Sequence, residues 1–357
     1  MAVRPAVDAL PPYVGLVGHR PPVRLDGNEN PFGPSPDVRT ALARASLSRY
    51  PDAGPLRAHW AAVLGVPTGA VALTSGSGPA LALAAELVLG PGDACLLLEP
   101  SFELYAWAAR RREARIVAVP CAAGRPFPAP TVRAGLAHEA PKLAFLGLPD
   151  NPTGVAPTVG LLEDLTRAHP HTLFVVDEAY VDFYGVTVLP LTQRRPNLVV
   201  TRTFSKAYGL AGMRLGGLIG PPALIERVLR INVPYPVTGP AAAAGLAALG
   251  DPGHVDRTVR AAHRTRARLA RTLRALGCPT IAPRVNFVLI ELGTVAAARR
   301  LVAALARRGI AVRDRSHLAG MAGVVRVSCG TDEETDRFLS AMRDLRGPPR
   351  RNRRRKP

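Results

Sequence analysis

Residues 143–177 read LAFLGLPDNPTGVAPTVGLLEDLTRAHPHTLFVVD, and this stretch decides the fold. Two apolar runs, LAFLGLP (143–149) and LFVVD (173–177), have strand length and the Leu, Val and Phe content of buried strands. Between them 158–168 (TVGLLEDLTRA) has helix length. The pattern repeats outward in both directions. VALTSG (71–76), ACLLLEP (94–100) and ARIVAVP (114–120) precede it, LVVTRTF (198–204) and GGLIG (216–220) follow, and another helical segment, PALALAAELVL, fills 79–89. Strands apolar on both faces alternating with helices predict an α/β domain built on a mostly parallel sheet flanked by helices. Chemistry in such sheets gathers at the C-terminal ends of the strands.

Beyond about residue 245 the character changes. A long basic helix, a strand at 285–291, a helix at 295–308, the strand pair GIAVRD and GVVRVSC, and a closing helix at 331–345 predict a smaller α+β domain. The expected organisation is an N-terminal arm (1–34), a large domain (35–245), a small C-terminal domain (246–345) and a basic disordered tail (346–357).

The chain has 357 residues, 47% hydrophobic and 20% charged, which excludes a disordered or fibrous protein. No run approaches a membrane span, and no signal-peptide pattern opens the chain, so a cytoplasmic protein is expected. Four scattered cysteines without zinc spacing predict neither disulfides nor a metal site. The net charge of +19 is concentrated rather than spread. Seven basic residues fall in 346–357, and seven arginines lie in 254–277, where Leu269, Leu273 and Leu276 keep helical spacing and the arginines read as a solvated face. A nucleic-acid partner is therefore not expected. Of 46 basic residues only Lys142, Lys206 and Lys356 are lysines. A chain so averse to lysine has a reason for Lys206, and an amine that can lose its proton and act as a nucleophile is one that guanidinium cannot replace.

The polar residues at strand ends share a theme. Asp177 ends LFVVD, Asn151 follows LAFLGLPD, Lys206 follows VVTRTFS, and Thr74–Gly78 (TSGSG) leads into a helix with Pro79 expected at its first position. Each has a bland reading: a Gly-rich turn is often steric, and an Asp after a strand is often a cap. Together they suit pyridoxal phosphate, which needs a lysine amine, a carboxylate for the ring nitrogen and a phosphate cradle.

With these residues in place, the chain resembles the fold type I aminotransferases and, within them, the histidinol-phosphate aminotransferase family. The resemblance is carried by LDGNENPFGPSP (25–36), SRYPD (48–52), PSFELY (100–105), PDNPTG (149–154), VVDEAYVDF (175–183), TRTFSKAYGLAGMRLG (201–216), VPYPV (233–237), AVRD (311–314) and VRVSCGT (325–331). It implies pyridoxal 5′-phosphate as cofactor, with Lys206 as the Schiff-base lysine and proton carrier, Asp177 on the ring nitrogen, Asn151 and Tyr180 on the ring hydroxyl, and Tyr105 stacked on the ring. Ser205, Arg214 and the backbone of Gly76, Ser77 and Gly78 would hold the phosphate, joined by Tyr50 of a second subunit, which implies a homodimer. Arg326 would clamp the substrate carboxylate, and Arg313, Tyr235 and Asn151 would complete the substrate site; for both arginines a solvent-facing role is the alternative.

The implied reaction exchanges an amino group between a small-molecule donor and a 2-oxo acid, best matched by histidinol phosphate and 2-oxoglutarate. An aromatic or specialised aminotransferase of the same family is the alternative, and a decarboxylase of a phosphorylated amino acid is the alternative of another class. Two departures stand out: Gly78-Pro79 replaces an acidic pair, and Gly217 replaces a common tyrosine, which is expected to remove bulk near Arg214.

Overall fold

In the computed structural model of the chain, residues 3, 5–8, 10 and 21–346 are described. Of the expected arm, residues 1, 2, 4, 9 and 11–20 lie outside them, as does the expected tail from 347 to 357. Of the described residues, one compact unit holds 3, 5–8, 10 and 32–259, and the other holds 21–31 and 260–346. The division falls inside the Pro252–Ala275 helix rather than at residue 245, and the arm residues 21–31 belong with the C-terminal unit.

The strands among the described residues are β1 (Val23–Leu25), β2 (Val71–Thr74), β3 (Ala94–Glu99), β4 (Arg115–Pro120), β5 (Leu143–Gly147), β6 (Leu173–Asp177), β7 (Leu198–Thr203), β8 (Gly216–Ile219), β9 (Thr280–Ile281), β10 (Phe287–Glu291), β11 (Ile310–Asp314) and β12 (Val324–Ser328). In the first unit seven of them make one sheet in the order β2-β8-β7-β6-β5-β3-β4. All its neighbours pair in parallel except β8, which is antiparallel to both β2 and β7. Every residue of β5 and β6 is buried, as strands covered on both faces must be. Alternation divides them between two cores: Leu146, Val176 and Val200 enter one cluster, and Phe145, Val175 and Val199 enter the other.

The second unit is a five-stranded sheet in the order β1-β11-β12-β10-β9. Here β1, drawn from the arm, pairs in parallel with β11, while β12 lies antiparallel to both β11 and β10. The Asp332–Arg346 helix closes the described chain, with three acids in its first turn and two arginines in its last, both favourable to the helix dipole. Within this unit the basic helix is more than a solvated face. Arg266 donates to Pro283 O at 3.0 Å, Arg274 to Thr280 O at 2.8 Å, and Arg268 pairs with Asp336. Among the described residues no helix is long and apolar enough to cross a membrane.

Candidate active site

The end of β2 turns sharply into the Ser77–Val88 helix. Gly76, the N-cap, sits at φ +90°, a conformation that favours glycine, and Thr74 Oγ1 donates to its carbonyl at 2.7 Å. A Cβ at Gly76 would lie 2.7 Å from Arg214 Nη2, so the guanidinium comes right up to the turn. The helix starts at Ser77, which makes Pro79 its third residue rather than its first. A proline there removes one of the first-turn amides that have no partner inside the helix, leaving those of Ser77 and Gly78 directed out of its end.

Gly216 of β8 is a second requirement of this turn, because a Cβ there would lie 2.9 Å from Gly76 C and 3.0 Å from Ser77 N. Arg214, itself left-handed at φ +50°, donates through Nη1 to Ser205 Oγ at 3.4 Å. Ser205 is buried, and its Oγ accepts from Thr203 Oγ1 at 3.0 Å. A guanidinium, a hydroxyl and a helix N-terminus thus converge in a place only glycine leaves open. That chemistry suits a phosphate dianion.

The second focus is the end of β6. Asp177 is 5% exposed and accepts three bonds: Tyr105 Oη at 2.9 Å on Oδ2, and Thr201 Oγ1 and the Ala179 amide, each at 3.0 Å, on Oδ1. Burial pushes its carboxyl above the ordinary range, while the three donors and the Lys206 charge act the other way. A buried carboxylate so supplied is suited to a cationic partner such as a pyridinium N–H. Tyr105 is almost fully buried, its ring stacked on Phe145 with centroids 5.3 Å apart. Lys206 Nζ lies 5.8 Å from the centre of the Tyr180 ring, and Asn151 and Tyr180 are both buried. These residues fit pyridoxal phosphate: an anion cup at one focus, a carboxylate at the other and a lysine that acts on that carboxylate.

The sequence reading missed the clamp that fastens this strand end. Glu178 accepts from Arg202 Nε at 3.0 Å and Nη2 at 2.8 Å, from Thr187 Oγ1 at 2.8 Å and from the Val188 amide at 2.7 Å. The signal was present as an acid directly after Asp177 and an arginine in TRTF on the neighbouring strand. The departure at Gly217 also reads differently in three dimensions. A Cβ there would lie 2.6 Å from Ala72 O and 2.7 Å from Trp60 Cζ3, so the buried indole fills the space beside Gly217.

Of the remaining residues, Tyr50 and Tyr235 stack with centroids 4.5 Å apart, 82% and 59% exposed. Arg326 and Arg313 belong to the second unit, directly opposite each other on β12 and β11. Arg326 is buried rather than solvent-facing. Its Nη2 donates to Asp26 O at 2.7 Å and its guanidinium lies 5.5 Å from the Phe287 ring centre. The arm residue Asn28 is fixed in the same unit, its amide donating to Ser328 Oγ at 2.9 Å and its carbonyl accepting from Asn286 Nδ2 at 3.1 Å.

The model of the family described as aminotransferase class I and II matches residues 20–342. The chain belongs to this family. Among the relatives of this aminotransferase, the histidinol-phosphate aminotransferase of Symbiobacterium thermophilum is 38% identical over 363 residues, covering 97% of this chain and 99% of that protein. The structure of histidinol-phosphate aminotransferase from Sinorhizobium meliloti, in complex with pyridoxal-5′-phosphate, is similar with a TM-score of 0.88 and 26% identity, covering 96% of this chain and 98% of that one. The L-threonine-O-3-phosphate decarboxylase of Porphyromonas gingivalis follows at a TM-score of 0.78 and 25% identity, covering 90% and 99%.

Proposed function

We propose that this aminotransferase uses pyridoxal 5′-phosphate to move the amino group of histidinol phosphate to 2-oxoglutarate, giving imidazole-acetol phosphate and glutamate. The observation that carries the reading is Lys206 at the end of β7, facing Tyr180 and acting on the buried Asp177 carboxylate. The likeness to a histidinol-phosphate aminotransferase, 38% identical over 97% of this chain, supports the substrate pair. When bound, the cofactor supplies an electron sink for the negative charge that develops at the substrate Cα.

The chain supplies the rest. The amides of Ser77 and Gly78, the Gly76 turn, Ser205 Oγ and the Arg214 guanidinium bind the phosphate; Asp177 holds the ring nitrogen, and Asn151 and Tyr180 donate to the ring hydroxyl. Tyr105 covers the ring and, through its hydroxyl on Asp177, orients the carboxylate. Lys206 Nζ would take the proton from the substrate Cα and carry it to the cofactor C4′. Arg326 and Arg313, with Tyr235, bind the substrate anions, two carboxylates in glutamate and a phosphate in histidinol phosphate, with the planar fork of Arg326 suited to a carboxylate. The reading includes a homodimer in which Tyr50 reaches the phosphate of the neighbouring subunit. The exposed Leu47, Tyr50 and Tyr235 support it, being apolar surface that a second copy would cover.

The test is a visible spectrum of purified protein with added pyridoxal phosphate, followed on addition of histidinol phosphate, glutamate and phenylalanine separately. A yellow band bleached by histidinol phosphate and by glutamate is expected, and Lys206→Ala loses all turnover. Bleaching by phenylalanine but not histidinol phosphate moves the substrate to an aromatic amino acid. Carbon dioxide release from a phosphorylated amino acid, or no band at all, overturns the proposal.

A further inference from the structure

The turn that carries Asn151 also buries a carboxyl group with no task in the scheme above. Asp150 is 1% exposed. Its main chain is fixed on both sides, the amide donating to Val155 O and the carbonyl accepting from the Gly154 amide, each at 2.8 Å. Gly147, the last residue of β5, must be glycine because a Cβ there would run into the Asp150 Cα. Gly147 is also the register partner of Asp177, and Leu148 donates its amide to the Asp177 carbonyl at 2.8 Å. Asp150 is thereby built against the strand end that carries the cofactor carboxylate.

Its side chain is poorly supplied. Oδ1 accepts one long bond, 3.4 Å, from Thr153 Oγ1, and Oδ2 is buried with no hydrogen-bond partner among the described residues. The titratable groups that act on it are Asp177 on β6, Tyr105 on the Glu103–Arg110 helix and Cys121 after β4, all of them acids. An ionised carboxylate here would lose its hydration for one weak donor, and two carboxylates this near in a buried site do not both ionise readily. Asp177 has three good donors and Asp150 has one poor one.

We propose that Asp150, buried beside the end of β6, keeps its proton inside the fold, so that the single negative charge of the Asp150–Asp177 pair is lodged on Asp177. One negative charge then faces one ring cation, where two would overcharge the site. Burial first, and Asp177 second, push the Asp150 carboxyl well above the ordinary range, in the same direction. The role toward the ring rests on pyridoxal phosphate being the cofactor.

Thermal unfolding of the apoprotein from pH 5 to 8, and titration with pyridoxal phosphate at pH 7, test this in the wild type and in Asp150→Asn, a neutral group of the same shape. A carboxyl that holds its proton in the fold and releases it on unfolding lowers stability above the ordinary carboxylate range, increasingly as pH rises. The variant therefore melts higher than the wild type at pH 8, by roughly 2–4 °C, and the gain shrinks towards pH 5. Its affinity for pyridoxal phosphate at pH 7 is unchanged. A gain independent of pH, a lower melting point at pH 8, or a weaker affinity means that Asp150 is ionised in the fold and overturns the proposal. Asp150→Ser carries the same expectation for the pH trend should the Asn variant fail to fold. If the wild type itself does not bind pyridoxal phosphate, the functional reading falls, while the melting comparison still decides the charge on Asp150.

Discussion

At the scale of the residue, the cofactor site is defined as much by missing side chains as by present ones. Gly76 combines a positive φ with an approach of 2.7 Å between its would-be Cβ and the Arg214 guanidinium. Gly76→Ala is strained in the backbone and pushes Arg214 out of the cup. We expect its affinity for pyridoxal phosphate to fall at least about tenfold, with the circular-dichroism spectrum unchanged, because a misplaced charge-assisted donor costs about 1.5–3 kcal/mol. Titration of the apoprotein by fluorescence measures it. Lys206 stands out in the sequence as one of three lysines among 46 basic residues and by its place after VVTRTFS, and the proposed role is one that guanidinium cannot fill.

At the scale of the element, β6 and β7 are tied at their C-terminal ends by more than the sheet ladder. Asp177 pairs in register with Thr201 and bonds to its side chain, and one residue on Glu178 is gripped by Arg202. Glu178 has no exposed side-chain surface, so removing its cation strands a buried carboxylate. Arg202→Ala is expected to lower stability by about 3–5 kcal/mol, the range for breaking a buried pair from one side, measured as the midpoint of urea unfolding. The seven strands of the first sheet were all legible, because a run of apolar residues bounded by Gly, Pro or polar residues is itself the signature of a strand covered on both faces. Strands β1 and β9, of three and two residues, were not. Nothing local distinguishes so short a segment from a loop; pairing with β11 and β10 makes them strands.

At the scale of the whole molecule, the proposed homodimer has a direct test that uses two inactive chains. Lys206→Ala would lack the proposed proton carrier, and Tyr50→Phe the hydroxyl proposed to serve the neighbour's phosphate. If active sites are shared, equal mixing after unfolding and refolding yields hybrid dimers in which one site is intact. Activity then rises towards about a quarter of wild type, since half the dimers are hybrids with one good site of two. Mixtures no more active than their parts would place Tyr50 outside the neighbour's site, and a sedimentation profile of a single chain would remove the dimer altogether.

The sequence by itself determined the parallel βα architecture and put the candidate residues Asn151, Asp177 and Lys206 at or just after strand ends. These are local signals: an apolar run of strand length, a helix-length segment, a glycine before a helix. What only the tertiary structure decided depends on contacts between distant parts of the chain. Tyr105 reaches Asp177 across 72 residues, and Arg326 reaches the arm carbonyl of Asp26 across 300. The same holds for Trp60, which fills the space beside Gly217, and for Asp150, an ordinary turn residue in the motif PDNPTG until burial against Asp177 leaves its carboxyl one long bond from Thr153 and an Oδ2 without a partner. Side-chain type is written in the sequence, but the dielectric, the donors and the neighbouring charges that fix its protonation exist only once the strands are side by side.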